Sequence, residues 1–344
     1  METLKNDLTD SHNYKMSRPV FADVLGVSES LVRKWERLGL SPELVPRGSS
    51  SRPQFTVAHV VEARKRFRPL PPHSTRTLLF WLLKGGVGKT TISFNLAGAL
   101  SRMGYRVLAV DLDGQSHLTT CFGVSLDDQE QVKTLYNLFY DDGPSAIKTI
   151  ADAILPLSPT LSLLPASLDV AAVDLLLVGE QDPARKFLRL QRVLQEIKSQ
   201  YDFVILDAPP NINLLNLNAF FAADEVISPM LTDFLSHHSL TLLADTVRSI
   251  SESFQARGYD SPTIKILANH FDMRNNLCRE SLGLLQSGPF KEHILNAVIR
   301  LSTALSESTK NMQPVFTFAP KSHGTEDILA LAREIAIPPS KTGA

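Results

Sequence analysis

Lys84-Gly85-Gly86-Val87-Gly88-Lys89-Thr90-Thr91 decides how this chain folds. It follows Thr77-Leu78-Leu79-Phe80-Trp81-Leu82-Leu83, an apolar run that reads as a strand buried on both faces, as strands of parallel sheets are. It leads into a helical pattern over 91–103. Strand, glycine-rich turn and helix in that order make a cradle for phosphate. The glycines let successive backbone N–H groups curl round an anion, and the helix N-terminus adds positive potential. Lys89 then meets the β- and γ-phosphates of a nucleotide, and the Thr90 hydroxyl meets a Mg2+ ion.

Further apolar runs at 106–110, 203–206 and 264–267, with 225–228 as a fifth, alternate with helical patterns at 182–198, 236–257 and 325–335. That alternation predicts right-handed crossovers and a doubly wound, mostly parallel α/β sheet. Ligands of such sheets bind at the carboxyl ends of the strands. Two strands end there in acids: Val110-Asp111-Leu112-Asp113-Gly114-Gln115 and Phe203-Val204-Ile205-Leu206-Asp207-Ala208-Pro209-Pro210. Asn269 stands just past a third.

The common phosphate-loop pattern G-x-x-x-x-G-K-[ST] needs glycine at 83, where this chain has Leu83. Residues 84–91 instead match K-G-G-x-G-K-[ST]-[ST], the deviant Walker A motif. The chain resembles the ParA/MinD family of P-loop ATPases over about residues 77–337, including Leu164-Pro165-Ala166-Ser167 and 223–229. The resemblance implies ATP/ADP and Mg2+ as cofactors, held by Lys84, Gly85, Gly86, Val87, Gly88, Lys89, Thr90 and Thr91. It implies that Lys84 crosses a nucleotide-sandwich homodimer to the partner's phosphates, as an arginine finger does. By the same resemblance Asp113 orients the attacking water, Asp111 supports the Mg2+ shell, Asp207 is the Walker B carboxylate, and Asn269 reads the adenine edge. Gly114 stands where relatives carry proline, which makes this switch segment more flexible.

Upstream, residues 18–37 fit a twenty-residue helix-turn-helix frame. Ala22 stands at the helix crossing, Gly26 in the turn, and Phe21, Leu25, Val27, Val32 and Trp35 face inward. Ser28 caps the second helix. The stretch resembles the MerR-type winged helix-turn-helix over residues 17–67, with 46–55 as its wing. The resemblance implies that Ser28, Ser30, Arg33, Lys34, Arg37, Arg47 and Arg52 contact an operator. Charge agrees: residues 1–76 carry +5 and the remainder −6. Three prolines within Pro69-Leu70-Pro71-Pro72 mark an extended linker. The expected organisation is a flexible or helical extension over 1–16, a DNA-binding module over 17–68, the linker over 69–76, the ATPase over 77–337, and a tail over 338–344.

Two cysteines, Cys121 and Cys278, exclude a disulfide framework or a four-ligand zinc site. Apolar runs fall short of a membrane span, and Met1–Tyr14 has no signal-peptide core, so a cytoplasmic, nucleoid-associated bacterial protein is expected. Prolines at 338 and 339 break the basic terminal helix by which MinD-like relatives bind membranes. The expectation is therefore a partition ATPase that dimerises on ATP, binds DNA non-specifically, and is stimulated by a ParB-type centromere-binding partner. Its N-terminal module is expected to regulate its own operon. Arg300, Lys310 and Lys321, with Arg274 and Arg279, are the candidates for non-specific DNA contact. The alternatives are a nucleotide-gated transcription factor and an ATPase that positions another cargo over the nucleoid.

Overall fold

The computed structural model of the protein describes residues 12–47, 50–71, 73–125, 132–140, 146–232, 261–288 and 290–337, with isolated positions between 245 and 252. Most of the helix expected over 236–257, and all of the tail from 338, lie outside the described residues.

Two sheets organise the chain. The smaller is antiparallel and contains β1 (Met16–Ser17), β2 (Glu43–Arg47) and β3 (Ser50–Phe55), with β3 central. Against it pack α1 (Arg18–Leu25), α2 (Glu29–Arg37) and α3 (Val57–Arg66). The inward set includes Phe21, Ala22, Leu25, Val32 and Trp35, and Phe21 stacks on Phe55 with ring centroids 4.1 Å apart. Gly26 takes the left-handed conformation that ends α1, at φ 65°, and Ser28 Oγ caps α2 by accepting from the Leu31 amide.

The larger sheet holds β4 (Arg76–Phe80), β5 (Val107–Asp111), β6 (Leu155–Ser158), β7 (Leu161–Leu164), β8 (Phe203–Asp207), β9 (Glu225–Leu231), β10 (Thr263–Phe271) and β11 (Ile294–Arg300). Their order is β11-β10-β9-β4-β8-β5-β7-β6, parallel throughout except for β6 against β7. Alternate residues serve opposite cores: Leu78, Phe80, Val107, Ala109, Phe203 and Ile205 face one layer, and Leu79, Leu108, Val110, Val204 and Leu206 the other. The first layer is α4 (Lys89–Arg102), α5 (His117–Cys121) and three later helices described below. The second is α6 (Leu135–Tyr140), α7 (Ala146–Ala153), α8 (Val173–Gly179), α9 (Pro183–Lys198) and α10 (Leu214–Ala222). The chain then runs through α11 (Asn276–Ser287), α12 (Thr303–Lys310), α13 (Val315–Phe318) and α14 (His323–Ala336), of which the last three complete the first layer.

All five strands read from the sequence are present, and β6, β7 and β11 are additional. β6 and β7 have four residues each, too short for periodicity to separate from loop, and β11 alternates as an edge strand does. The run expected to continue to Leu83 leaves the sheet after Phe80. The Trp81 amide still bonds the Ile227 carbonyl at 3.2 Å, and the backbone then turns into the glycine loop.

The segment before β1 differs from the extension expected there. His12 and Tyr14 are buried, and Tyr14 belongs to the core of the large sheet, where its ring packs edge-on against Phe316 with centroids 5.1 Å apart. His12 Nε2 lies 3.0 Å from the Phe122 carbonyl and Nδ1 3.3 Å from the Tyr14 hydroxyl. A carbonyl only accepts, so Nε2 carries the proton and Nδ1 accepts from the tyrosine. Burial holds the imidazole below its ordinary 6.5. A histidine kept neutral in the fold contributes stability that is present above its unfolded value and is lost as pH falls through the folded one. Between about pH 7.5 and about pH 5.5 the melting temperature of the wild-type chain should therefore fall more than that of His12→Gln. Equal pH slopes for the two proteins would remove His12 from this account.

The proline-rich connection is also fastened. His73 packs between the Tyr105 and Phe203 rings, and the Thr75 hydroxyl lies within 2.9 Å of the Lys198 and Tyr201 carbonyls. The N-terminal helices rest on the body of the large sheet at Met103-Gly104. Arg64 Nε donates to the Met103 carbonyl at 3.2 Å, and Gly104, at φ 92°, leaves room for Val60, which a Cβ would approach to 3.0 Å. Arg333 of α14 closes the contact by pairing with Asp23 at 2.7 Å.

Candidate functional site

The glycine loop joins β4 to α4, and α4 starts at Lys89, two residues earlier than the pattern suggested. Gly88 is its N-cap in the left-handed conformation, at φ 83°. A Cβ on Gly88 would stand 2.8 Å from Asn269 Nδ2, so conformation and space both call for glycine. Asn269, at the carboxyl end of β10, is buried and donates to the Val87 carbonyl at 2.7 Å. It holds the loop from beneath.

Lys89 is 8% exposed, and the charges of Asp207 and Asp113 act on it. Burial lowers its pKa, and the two carboxylates oppose that shift. Asp207 terminates β8 under the loop. Its Oδ2 accepts from the Thr90 hydroxyl at 2.6 Å, and its Oδ1 lies 3.0 Å from Ser93 Oγ. Complete burial, with Asp111 on the neighbouring strand, pushes the Asp207 carboxyl up to about 7. Burial likewise pushes Asp111 up to about 6. Both Asp111 oxygens are engaged: one accepts from the Asp113 amide at 3.0 Å, the other from the Thr119 amide and hydroxyl at 2.9 and 2.8 Å. Asp111 thus fixes the path of 111–119 and leaves Asp113 partly exposed at the mouth of the site. Gly114 has ordinary clearance from the backbone of Ser167, Leu168 and Ala171, so space does not require glycine there.

Among the described residues no three His, Cys, Asp or Glu side chains gather as a metal cage. Thr90 and Asp207 nevertheless meet at the loop, beside a buried lysine. That donor set suits Mg2+, which keeps several waters and takes phosphate oxygens from a substrate. Lys84, Gly85 and Gly86 line the same loop, and Gly85 faces Pro210, just after Asp207. Ser93 and Thr119 were missed in the sequence. Ser93 stands between Ile92 and Phe94, a polar break in an apolar stretch that is a weak signal, whereas nothing in the polar run His117-Leu118-Thr119-Thr120 singles out Thr119.

Of the candidate DNA contacts, Ser28, Ser30, Arg33, Lys34 and Arg37 are exposed along α2, Arg52 is exposed on β3, and Arg47 closes β2 beside it. Lys310 and Lys321 are exposed near the ends of α12 and α14. Arg300 turns inward, pairing with Asp327 at 2.6 Å and Glu326 at 2.9 Å, and both carboxylates raise its pKa. Arg274 pairs with Asp272 at 2.9 Å, and Arg279 bonds Asn276. Among the described residues no helix is long and apolar enough to cross a membrane.

Residues 75–257 match the protein family described as AAA domain. The cell division protein PomZ of Myxococcus xanthus is 36% identical over 301 residues, covering 87% of this chain and 90% of that protein. The sporulation initiation inhibitor protein Soj of Bacillus subtilis is 33% identical, covering 74% of this chain and 95% of its own. Among solved structures, cobyrinic acid a,c-diamide synthase from Mycobacterium smegmatis, with bound ATP analog and magnesium, superposes with a TM-score of 0.60. It is 26% identical and covers 75% of this chain and 93% of its own.

Proposed function

Because the chain belongs to the ParA/MinD family of P-loop ATPases and is a partition or positioning ATPase of the Soj kind, we propose that it dimerises on ATP and binds DNA without sequence preference. In this reading it hydrolyses the nucleotide when a ParB-type partner engages it. The observation that carries the nucleotide part is the cluster of buried Lys89, Thr90 and Asp207 beneath a left-handed glycine loop at the carboxyl edge of the sheet.

ATP is the substrate; Thr90, with Asp207 behind it, would hold Mg2+, which would supply charge neutralisation at the phosphates. Lys89 draws the phosphate tail into the loop and stabilises the charge that builds on the transferred group. Asp113, at the mouth, orients the attacking water. Asp111 keeps Asp113 in place through its bonds to 113 and 119. Asn269 holds the loop through the Val87 carbonyl, and in this reading it also meets the adenine edge. Lys84 reaches the phosphates of the other subunit. Dimerisation is supported by exposed apolar side chains near the loop: Leu168, beside Gly114, and Ile212, two residues past Pro210, are each more than half exposed.

The N-terminal module reads an operator through α2, with Arg33, Lys34 and Arg37 on its open face and Arg47 and Arg52 on the hairpin. Lys310 and Lys321 contribute to non-specific contact. Arg300 joins them only after releasing Asp327 and Glu326. The relative named for cell division spans more of this chain than Soj does, which favours a second reading in which the cargo is a division component.

The test is binding of the full chain to a random-sequence duplex at fixed salt with ATP, ADP or no nucleotide, beside a chain with Arg33, Lys34 and Arg37 changed to Ala. ATP-dependent binding that survives the triple change supports the partition reading. Binding that vanishes with it and ignores ATP makes the protein a transcriptional regulator. Stimulation of turnover by the ParB-type protein of the same organism separates DNA cargo from another cargo. Asp113→Ala should keep ATP binding, accumulate dimer and lose about 100-fold in turnover; rapid turnover by that variant removes its assigned role.

A further inference from the structure

Residues 12–17 have one end in each core. Tyr14 belongs to the core of the large sheet and Met16 to that of the N-terminal module, two residues on. Met16 and Ser17 pair with Phe55 and Gln54 of β3, the strand that carries Arg52.

The body end of this segment meets both elements that carry the phosphate-site residues. The first is the segment after β5. Asp111 anchors Thr119 in α5, and α5 is capped by Phe122, whose carbonyl receives the His12 Nε2–H at 3.0 Å. The same helix is preceded by its N-cap Ser116, held at φ 55°, a left-handed conformation that a residue with a side chain seldom adopts, and fastened by its hydroxyl to the Ala166 carbonyl at 2.9 Å. The second is α4, a rod about 21 Å long that begins at Lys89. It ends at Arg102, buried with its guanidinium 4.8 Å above the Phe316 ring on which Tyr14 packs, and with Nε lacking a hydrogen-bond partner. Met103 and Gly104, directly after it, carry the contact with Arg64 and Val60 of the module. A displacement of α5 or of the far end of α4 is therefore delivered to His12 and Tyr14, and from there along four residues to the β1–β3 pairing.

We propose that residues 12–17 are a strap that couples occupancy of the nucleotide site to the N-terminal module. The proposal rests on the nucleotide-binding reading given above. It differs from simple packing in one respect. Packing alone makes the strap matter for stability, whereas coupling makes it matter for how the module responds to nucleotide.

The experiment is amide hydrogen exchange on the full chain, with and without a fluorescent, slowly hydrolysed ATP analogue and Mg2+, with analogue binding measured in the same samples. In the wild type, exchange at Met16, Ser17, Gln54 and Phe55 should change about five-fold or more on binding, the lower end of the range for linked sites. His12→Ala should bind the analogue to within about three-fold of wild type while the response at those amides falls below about two-fold. His12→Gln, which keeps a side-chain donor for the Phe122 carbonyl, should restore at least half of the response. Tyr14→Phe keeps the ring and removes only the hydroxyl partner of His12, and serves as the second variant with the same expected loss. An undiminished response in His12→Ala and Tyr14→Phe overturns the strap, as does a wild-type chain that binds the analogue without any response. A wild-type chain that does not bind the analogue overturns the nucleotide reading and the strap together.

Discussion

Lys89→Ala should abolish ATP-dependent dimerisation and lower ATP turnover by about 1,000-fold, the scale of losing a principal charge stabiliser in a preorganised site. Lys89 is 8% exposed and has Asp207 and Asp113 as its charged surroundings. Removing it takes away the cation that meets the phosphates. The fold should survive. Asp207 already sits at about 7 and Asp111 at about 6, so both carboxyls can take up a proton where the lysine charge is lost. The prediction therefore separates function from stability: nucleotide response vanishes while the melting temperature changes by only a few degrees. Sedimentation of the variant with and without ATP checks it. ATP-dependent dimerisation that persists in Lys89→Ala would falsify the site assignment.

A chain beginning at Thr75 should be markedly less stable than the full chain, although the phosphate loop and every strand of the large sheet remain in it. The cut removes Tyr14, a 4% exposed ring set against Phe316 and Gly98, with Arg102 beside it. It also uncovers Met103 and Gly104, where Arg64 and Val60 rest. Loss of one buried aromatic of this kind costs about 3–5 kcal/mol. Tyr14→Ala in the full chain is the cleaner measurement, with an expected fall in melting temperature on the order of 5–10 °C. Tyr14→Phe should cost only about 1 kcal/mol, the net value of one hydrogen bond. A body from residue 75 that melts with the full chain would show that the N-terminal segment merely leans on it. For the same reason surface substitutions on α2 are a better probe of DNA binding than truncation, which confounds lost contacts with a damaged core.

Much of the site was legible in the linear chain because its parts are local. Gly85 to Thr91 form the loop from consecutive residues, and a phosphate cradle made of backbone N–H groups depends on little beyond its own φ angles. Asp111, Asp113 and Asp207 were readable because each follows a run of buried residues, and in a parallel sheet that places them at one edge. Ser93 and Thr119 were not, since their importance lies in reaching carboxylates 114 and 8 residues away. Arg300 looked like a free cation because nothing in its neighbourhood announces Asp327 and Glu326, which α14 brings back against β11. Residues 12–16, expected to belong to a flexible or helical extension, went unread for a similar reason. A short polar stretch gives no periodic signal, and its burial depends wholly on Phe316, Gly98 and Phe122 being assembled elsewhere.

The doubly wound sheet, the phosphate loop and the two acid-terminated strands follow from the linear chain, because hydrophobic alternation and glycine placement act over a few residues and do not await the rest of the fold. Which carboxylates end up buried, which surface cations are already paired, and that Tyr14 joins the core of a body whose first strand begins at Arg76, with His12 buried beside it, emerge only on folding. Those properties depend on desolvation and contact between segments far apart in the chain, and no local pattern encodes them.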